Sequence, residues 1–339
     1  MSALGAIFAG LWRAIESPGL VIWLWLVNFA VALPAGVVVS ESIRSSIGSS
    51  LVYEELATGF DMGWYGEFRE DAVGLPRTFT PTVVGAGAFY NNVESWLFGG
   101  LFQQFPGVVG LGVLYALVWA LFVGGILDRF SKPEGFFGLS RFFSSGGRFF
   151  FRFLRLIVLA GVLYYLVYRF AGGLFRRIDY WTRDVTVEGT VLMYVLLGTA
   201  VVVFLLTLVN MAFDYAKIAT FVEDRSSMVL AALRGFVFVL SHPAKTFGLY
   251  YGLGILAIVL LGLYSLAAPG AGQSTMTGVV LAFVIGQAYL VAKLVVRLSF
   301  YGGQLAMYQG VTRAEESAPV APAASPGESE NKESPESPE

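Results

Sequence analysis

The chain has 339 residues, 56% of them hydrophobic and 14% charged, with 22 Lys and Arg against 24 Asp and Glu for a formal charge of -2. A mean hydropathy of +0.68 lies outside the range of soluble domains, and nothing in the near-neutral balance points to nucleic acid. The absence of cysteine excludes disulfides, thiolate metal sites, thiol nucleophiles, palmitoylation and a lipoprotein anchor.

A helix rises about 1.5 Å per residue, so roughly 20 apolar residues cross a hydrocarbon core of about 30 Å. Six stretches approach that length, at residues 19–39, 106–127, 156–175, 189–213, 246–268 and 275–296. They predict an all-α, polytopic integral membrane protein whose residues 1–312 form a single six-span domain, with additional interfacial amphipathic helices. Arg13 before the first run and the Ala32-Leu33-Pro34-Ala35 stretch resemble a signal peptide and its cleavage site. The apolar run continues through Val39 to a full crossing length, which favours a span.

The connector over residues 40–105 is acidic early, with Glu54, Glu55, Asp61, Glu67, Glu70 and Asp71, and apolar late. Ile43, Ile47 and Leu51 recur at four-residue spacing, which predicts that the first helix extends beyond its span. Thr80-Pro81 reads as a helix start running through Val84, Phe89, Trp96 and Leu97, while Asn91, Asn92 and Glu94 argue against a full crossing. An interfacial or re-entrant helix is expected there. At the other end, residues 313–339 turn abruptly to Ala, Pro, Ser and Glu, the composition of a disordered acidic tail.

An aromatic or amphipathic segment precedes each odd-numbered span. Phe8, Leu11, Trp12 and Arg13 stand before Ser17-Pro18; Phe136, Phe137, Arg141, Phe142 and Phe143 before Ser144-Ser145-Gly146-Gly147; Leu230, Leu233, Arg234 and Phe238 before Ser241-His242-Pro243. Proline and paired glycines suit breaks between a surface helix and a crossing helix. The pattern predicts a unit of one surface helix plus two spans, used three times; aromatic, basic flanks common to any polytopic protein are the competing explanation. This layout resembles that of poorly characterised bacterial multi-pass membrane families and of the membrane domain preceding some glycerophosphodiester phosphodiesterases. The resemblance covers about residues 1–312, shares no specific motif, and implies no catalytic residue.

Lys and Arg accumulate on the cytoplasmic side of membrane proteins. With an N-terminus inside and six crossings, 15 of the 22 fall inside; Arg44, Arg69, Arg77, Arg169, Arg176, Arg177 and Arg183 fall outside. Both termini are therefore expected in the cytoplasm of a cell whose inner membrane holds the chain.

Polar residues cluster near the expected cytoplasmic ends of the even-numbered spans: Asp128 and Arg129; Asn210, Asp214 and Lys217; Gln287, Lys293 and Arg297. A charge at the centre of a membrane helix costs about 2.5 to 3.5 kcal/mol on insertion scales, so such groups pair, reach the interface or face a bundle interior. Lys293 and Arg297 share a helix face, as do Asn210, Asp214 and Lys217, so the two stripes can meet with Asp214 opposite a cation. Two explanations stand side by side: residues that end their spans, with the cations snorkelling, or a candidate polar cluster of Asp128, Asn210, Asp214, Lys217, Lys293 and Arg297 that binds a headgroup, an anion or a proton. Tyr301, Gln304, Tyr308 and Gln309 extend its edge.

Other signals are weaker. Gly248 and Gly252 have the spacing that lets helices approach closely, chiefly for internal packing. His242, the only histidine, reads as a turn residue, so no Ser-His-Asp triad is supported. The acidic connector does not fit a calcium loop. No catalytic, cofactor-binding or metal-binding residue is expected. The sequence supports a non-enzymatic, lipid-facing or membrane-organising protein or an accessory subunit, with membrane lipids and other membrane subunits as partners. The alternative is a small transporter component built around the polar cluster; a lipid enzyme acting through Asp128, Asp214 and His242 ranks last.

Overall fold

The computed structural model describes residues 1–48, 59–79, 106–132, 137–268 and 275–316, with single helical positions at 93, 95 and 97. Every regular element among these residues is helical: α1 (Ala3–Ile15), α2 (Pro18–Ile47), α3 (Met62–Asp71), a 3-10 turn (Leu75–Thr78), α4 (Pro106–Ser131), α5 (Leu139–Thr182), α6 (Glu188–Val222), α7 (Met228–Ser241), α8 (Pro243–Ala267) and α9 (Met276–Glu316). The six long helices α2, α4, α5, α6, α8 and α9 are each long and apolar enough to cross a membrane. The chain is an all-α multi-pass membrane protein.

Several helices outrun their apolar stretches. At about 1.5 Å per residue, α5 with 44 residues is roughly 66 Å long, well beyond the hydrocarbon core. The first span extends through Ile47, as the Ile43 and Ile47 spacing predicts, and both side chains pack on Trp64, Tyr65, Phe68 and Ala72 of α3. Asp61 starts α3, its Oδ1 accepting from the Gly63 and Trp64 amides. Leu51 and the helix start at Thr80-Pro81 lie outside the described residues, as does the acidic tail expected beyond Glu316; residues 313–316 belong to α9.

Most of the buried core lies at one end of the bundle, where the C-terminal halves of α4, α6 and α9 meet α1, α7 and the first part of α5. Three close backbone approaches build that end. A Cβ at Gly10 would stand 2.2 Å from the Ser299 carbonyl oxygen on α9; one at Gly146 would stand 2.4 Å from that of Leu121 on α4; one at Gly235 would stand 2.1 Å from that of Ala212 on α6. The short helices α1 and α7 and the first part of α5 are thus each laid against an even-numbered span through a glycine. Only hydrogen at these positions lets the backbones touch, which is the physical basis of small-residue packing in membrane helices.

One expectation needs correction. The break foreseen at Ser144-Ser145-Gly146-Gly147 does not occur, because α5 runs through it without interruption. Gly146 serves contact instead, meeting Leu121, and a Cβ on Gly124 would press on the Ser145 carbonyl at 2.8 Å, while Gly147 faces open space. The breaks at Ser17-Pro18 and His242-Pro243 are present. The short helices also turn their small residues inward (Ala6, Gly10 and Ala14 of α1; Ala231 and Gly235 of α7), leaving Leu4, Phe8, Trp12, Leu230, Leu233 and Val237 exposed. Gly248 and Gly252 pack internally, facing Ala3 and Ile7 of α1.

Gly235→Ala should therefore destabilise the chain by about 1–3 kcal/mol through overpacking against backbone. Gly254→Ala, in the same bundle with nothing within 4 Å of its Cβ position, should be neutral or stabilising because alanine favours helix. Thermal denaturation of the two purified variants in one detergent checks the sign of each.

Candidate functional site

A groove of about 650 Å³ runs between α2, α9 and α4. Its α2 wall extends from Trp25 to Arg44, roughly 28 Å along the helix, and is mostly apolar, with Phe29, Leu33 and Val37 exposed. On α9 the wall carries Gln287, Leu290, Lys293 and Arg297. Trp25 Nε1 donates to Gln287 Oε1 at 2.8 Å, joining the two helices at one side of the groove. Lys293 is exposed.

Arg297 stands at the junction of this groove with a second space. Its guanidinium donates to the Tyr115 hydroxyl and lies 3.4 Å from the centroid of the Trp119 ring, which in turn stacks on Tyr301. A cation over an aromatic face gains about 0.5–1 kcal/mol when exposed and about 2 when desolvated. This clamp makes a charge tolerable beside apolar helices.

On the other side of Arg297 lies a chamber of about 280 Å³ lined by Asn210, Asp214, Lys217, Tyr250, Tyr301 and Gln304 among others. Lys217 Nζ donates to Asp214 Oδ1 at 2.8 Å, within the same helix, and both side chains are largely covered. Gln304 Nε2 donates to Asp214 Oδ2 at 3.4 Å. Gln304 is only 1% exposed, and its Oε1 has no hydrogen-bond partner. Asn210 Nδ2 donates to Tyr250 Oη at 2.7 Å while its Oδ1 accepts from Tyr164 at 3.3 Å, so one amide ties α5, α6 and α8 together.

The sequence cluster thus divides. Asn210, Asp214, Lys217 and Arg297 line one chamber; Lys293 faces the groove next to it; Asp128 is elsewhere, accepting from Nε of Arg141 on α5 at 2.6 Å. The expected opposition of Asp214 to a cation of α9 gives way to its pairing with Lys217, one turn away on α6, with Arg297 held by aromatic rings. Tyr115, Trp119 and Trp25 carry no sequence signal of a site, since aromatic residues recur throughout this chain. His242 stands at the α7–α8 turn with its ring 5.2 Å from Phe238. Among the described residues no group of three or more His, Asp or Glu could hold a metal ion.

No family model, curated protein or solved structure matches the chain. The reading of this site rests on its own geometry.

At the α6–α7 turn a second charged group fastens the bundle. Asp224, with φ of 49°, accepts from Arg148 at 2.7 Å and Arg152 at 2.5 Å, both on α5. Glu223 accepts from Arg225 and from Tyr308 of α9, with Arg234 Nε 3.7 Å away. Burial alone would raise the Glu223 carboxyl, but the hydrogen bonds from Tyr308 and Arg225 and the charges of Arg225 and Arg234 outweigh it and hold it below its ordinary 4.5. Asp224 is held below its ordinary 3.8, chiefly by the Arg152 hydrogen bond and then by the neighbouring positive charges, which outweigh its desolvation. Both groups bind protons less readily folded than unfolded, so their stabilisation is complete above the ordinary carboxylate values and is lost as pH falls through the depressed ones. The denaturation midpoint in detergent should stay level from about pH 8 to about 5 and fall below that, and Glu223→Gln with Asp224→Asn should flatten the fall; a scan of melting temperature against pH reads both.

Proposed function

We propose that this chain is a non-enzymatic, lipid-facing membrane protein that holds one anionic lipid in the groove between α2, α4 and α9, in a membrane-organising or accessory role. The observation that carries the reading is the combination of an exposed apolar α2 wall with two cations, Lys293 and Arg297, on the facing helix. An acyl chain gains little from an apolar groove that other acyl chains would fill equally well, so affinity must come from the head. Two cations flanking such a wall attract a phosphate, and in a region of low dielectric each interaction is stronger than at an open surface. Arg297 presents a planar donor fork suited to phosphate oxygens, and Lys293 adds a mobile ammonium.

The bias of 15 of 22 Lys and Arg toward one side supports cytoplasmic termini in an inner membrane. In that orientation the basic residues around α1, α5 and α7 face an anionic leaflet, each contributing about 1 kcal/mol of attraction near the surface.

The transport alternative draws on the chamber, where a polar space adjoins a membrane-facing groove. It requires Asp214→Asn to abolish flux of a solute while the amount of folded protein is unchanged.

For the lipid reading, protein exchanged into mixed vesicles of phosphatidylglycerol and phosphatidylcholine, then extracted in mild detergent, should retain one phosphatidylglycerol per chain by native mass spectrometry. Lys293→Gln with Arg297→Gln should lower that occupancy about tenfold or more, equivalent to about 1.4 kcal/mol or more. Equal retention of both lipids by the unaltered protein would sink the reading.

A further inference from the structure

We propose that the chamber behind Arg297 receives the headgroup of the bound lipid, and that this headgroup is a polyol phosphate, as in phosphatidylglycerol, in place of an amine. The inference rests on the reading of the groove as an anionic-lipid site and specifies which anionic lipid it takes.

Arg297 belongs to the walls of both spaces. A phosphate on its guanidinium therefore stands at the mouth of the chamber, and whatever is esterified to that phosphate points inward. The chamber of about 280 Å³ has room for several water-sized groups at ~30 Å³ each, which suits a short polyol.

Charge decides against an amine. Asp214 is the carboxylate of the chamber, and Lys217 already neutralises it at 2.8 Å. The lipid phosphate takes up the charge of Arg297, so the paired Asp214 and Lys217 leave the chamber without surplus charge of either sign. An incoming ammonium would stand beside Lys217 with no uncompensated anion to meet it. A neutral hydroxyl meets no such repulsion.

Hydrogen bonding argues for the hydroxyl directly. Gln304 Nε2 donates to Asp214 Oδ2, and this fixes the orientation of the amide because only its NH2 side can donate to a carboxylate. Gln304 Oε1 is thereby left as a buried acceptor without a donor. Buried carbonyls are rarely left so. Gln304 lines the chamber, and a small rotation of its amide brings Oε1 within reach of a headgroup hydroxyl, which can donate to it and at the same time accept from the Lys217 ammonium, the two-way capacity that neither a carboxylate nor an ammonium has.

The test uses the full chain in mild detergent, titrated with phosphatidylglycerol, phosphatidic acid and phosphatidylethanolamine of identical acyl chains and read by native mass spectrometry. Phosphatidylglycerol should bind about tenfold more tightly than phosphatidic acid, which has the phosphate without the polyol, and phosphatidylethanolamine should bind more weakly than either. Gln304→Leu should erase the preference for phosphatidylglycerol over phosphatidic acid. Equal binding of those two by the unaltered protein, or preference for phosphatidylethanolamine, would overturn the inference; in the first case the groove reading survives. Binding of all three no better than phosphatidylcholine would overturn both. The comparison among lipids on the unaltered chain decides the matter even if the variant fails to fold. Displacement of bound lipid by an equal concentration of glycerol 1-phosphate would overturn the lipid as the source of the headgroup.

Discussion

Backbone contact between helices, permitted by glycine at three equivalent places, is the constraint on which the rest of this molecule depends. Within lipid there is no hydrophobic gain in bringing two apolar helices together, so their association must come from dense packing and from polar contacts. Gly10 on Ser299, Gly146 on Leu121 and Gly235 on Ala212 supply the first of these. The turn at Glu223 and Asp224 supplies the second, gathering arginines of α5 and the Tyr308 hydroxyl of α9 around two carboxylates. One end of the bundle is thereby rigid. The described parts of α2 and α9 beyond it contribute few buried residues, and this is where the groove opens.

That division places a polar chamber next to an apolar groove. Asp214, Lys217 and Gln304 sit on α6 and α9 among the buried positions Met211, Tyr215, Leu305 and Tyr308, and hydrogen bonds to Asp214 join all three. Polar groups ordered in this way before a ligand arrives lose little on binding. In the proposed lipid site, this chamber would supply selectivity at the head and the apolar groove would receive the tail.

Much of the architecture was legible in the sequence because membrane helices obey a length rule. The six apolar stretches and the Ser17-Pro18 and His242-Pro243 turns follow from hydropathy and from the missing backbone donor of proline. The glycines of residues 146–147 misled, since the same residue type marks a turn in one setting and a close helix contact in another, and only the partner backbone distinguishes them. The polar stripes were visible, but their partners were not. Asp214 has a cation three residues away on its own helix, a local solution that pre-empted the long-range pair. Asp128 shares with Asp214 its position near the end of an even-numbered span, yet Arg141 on α5 claims it. Tyr115 and Trp119 could not be singled out among 16 tyrosines and 7 tryptophans.

The position of Arg297 links the two spaces energetically as well as spatially. Among the described residues its charge forms no ion pair and is met by the Tyr115 hydroxyl and the Trp119 face, which compensate a guanidinium less fully than a phosphate does. A phosphate arriving from the groove can take donors that point away from the rings while the stacking on Trp119 remains, so binding adds interactions without first breaking the clamp. Lys293, one turn earlier on the same helix, is exposed. It can reach the same phosphate from the groove side at the cost of ordering a flexible chain. In the proposed lipid site Arg297 would therefore set where the phosphate sits, and Lys293 would strengthen its capture.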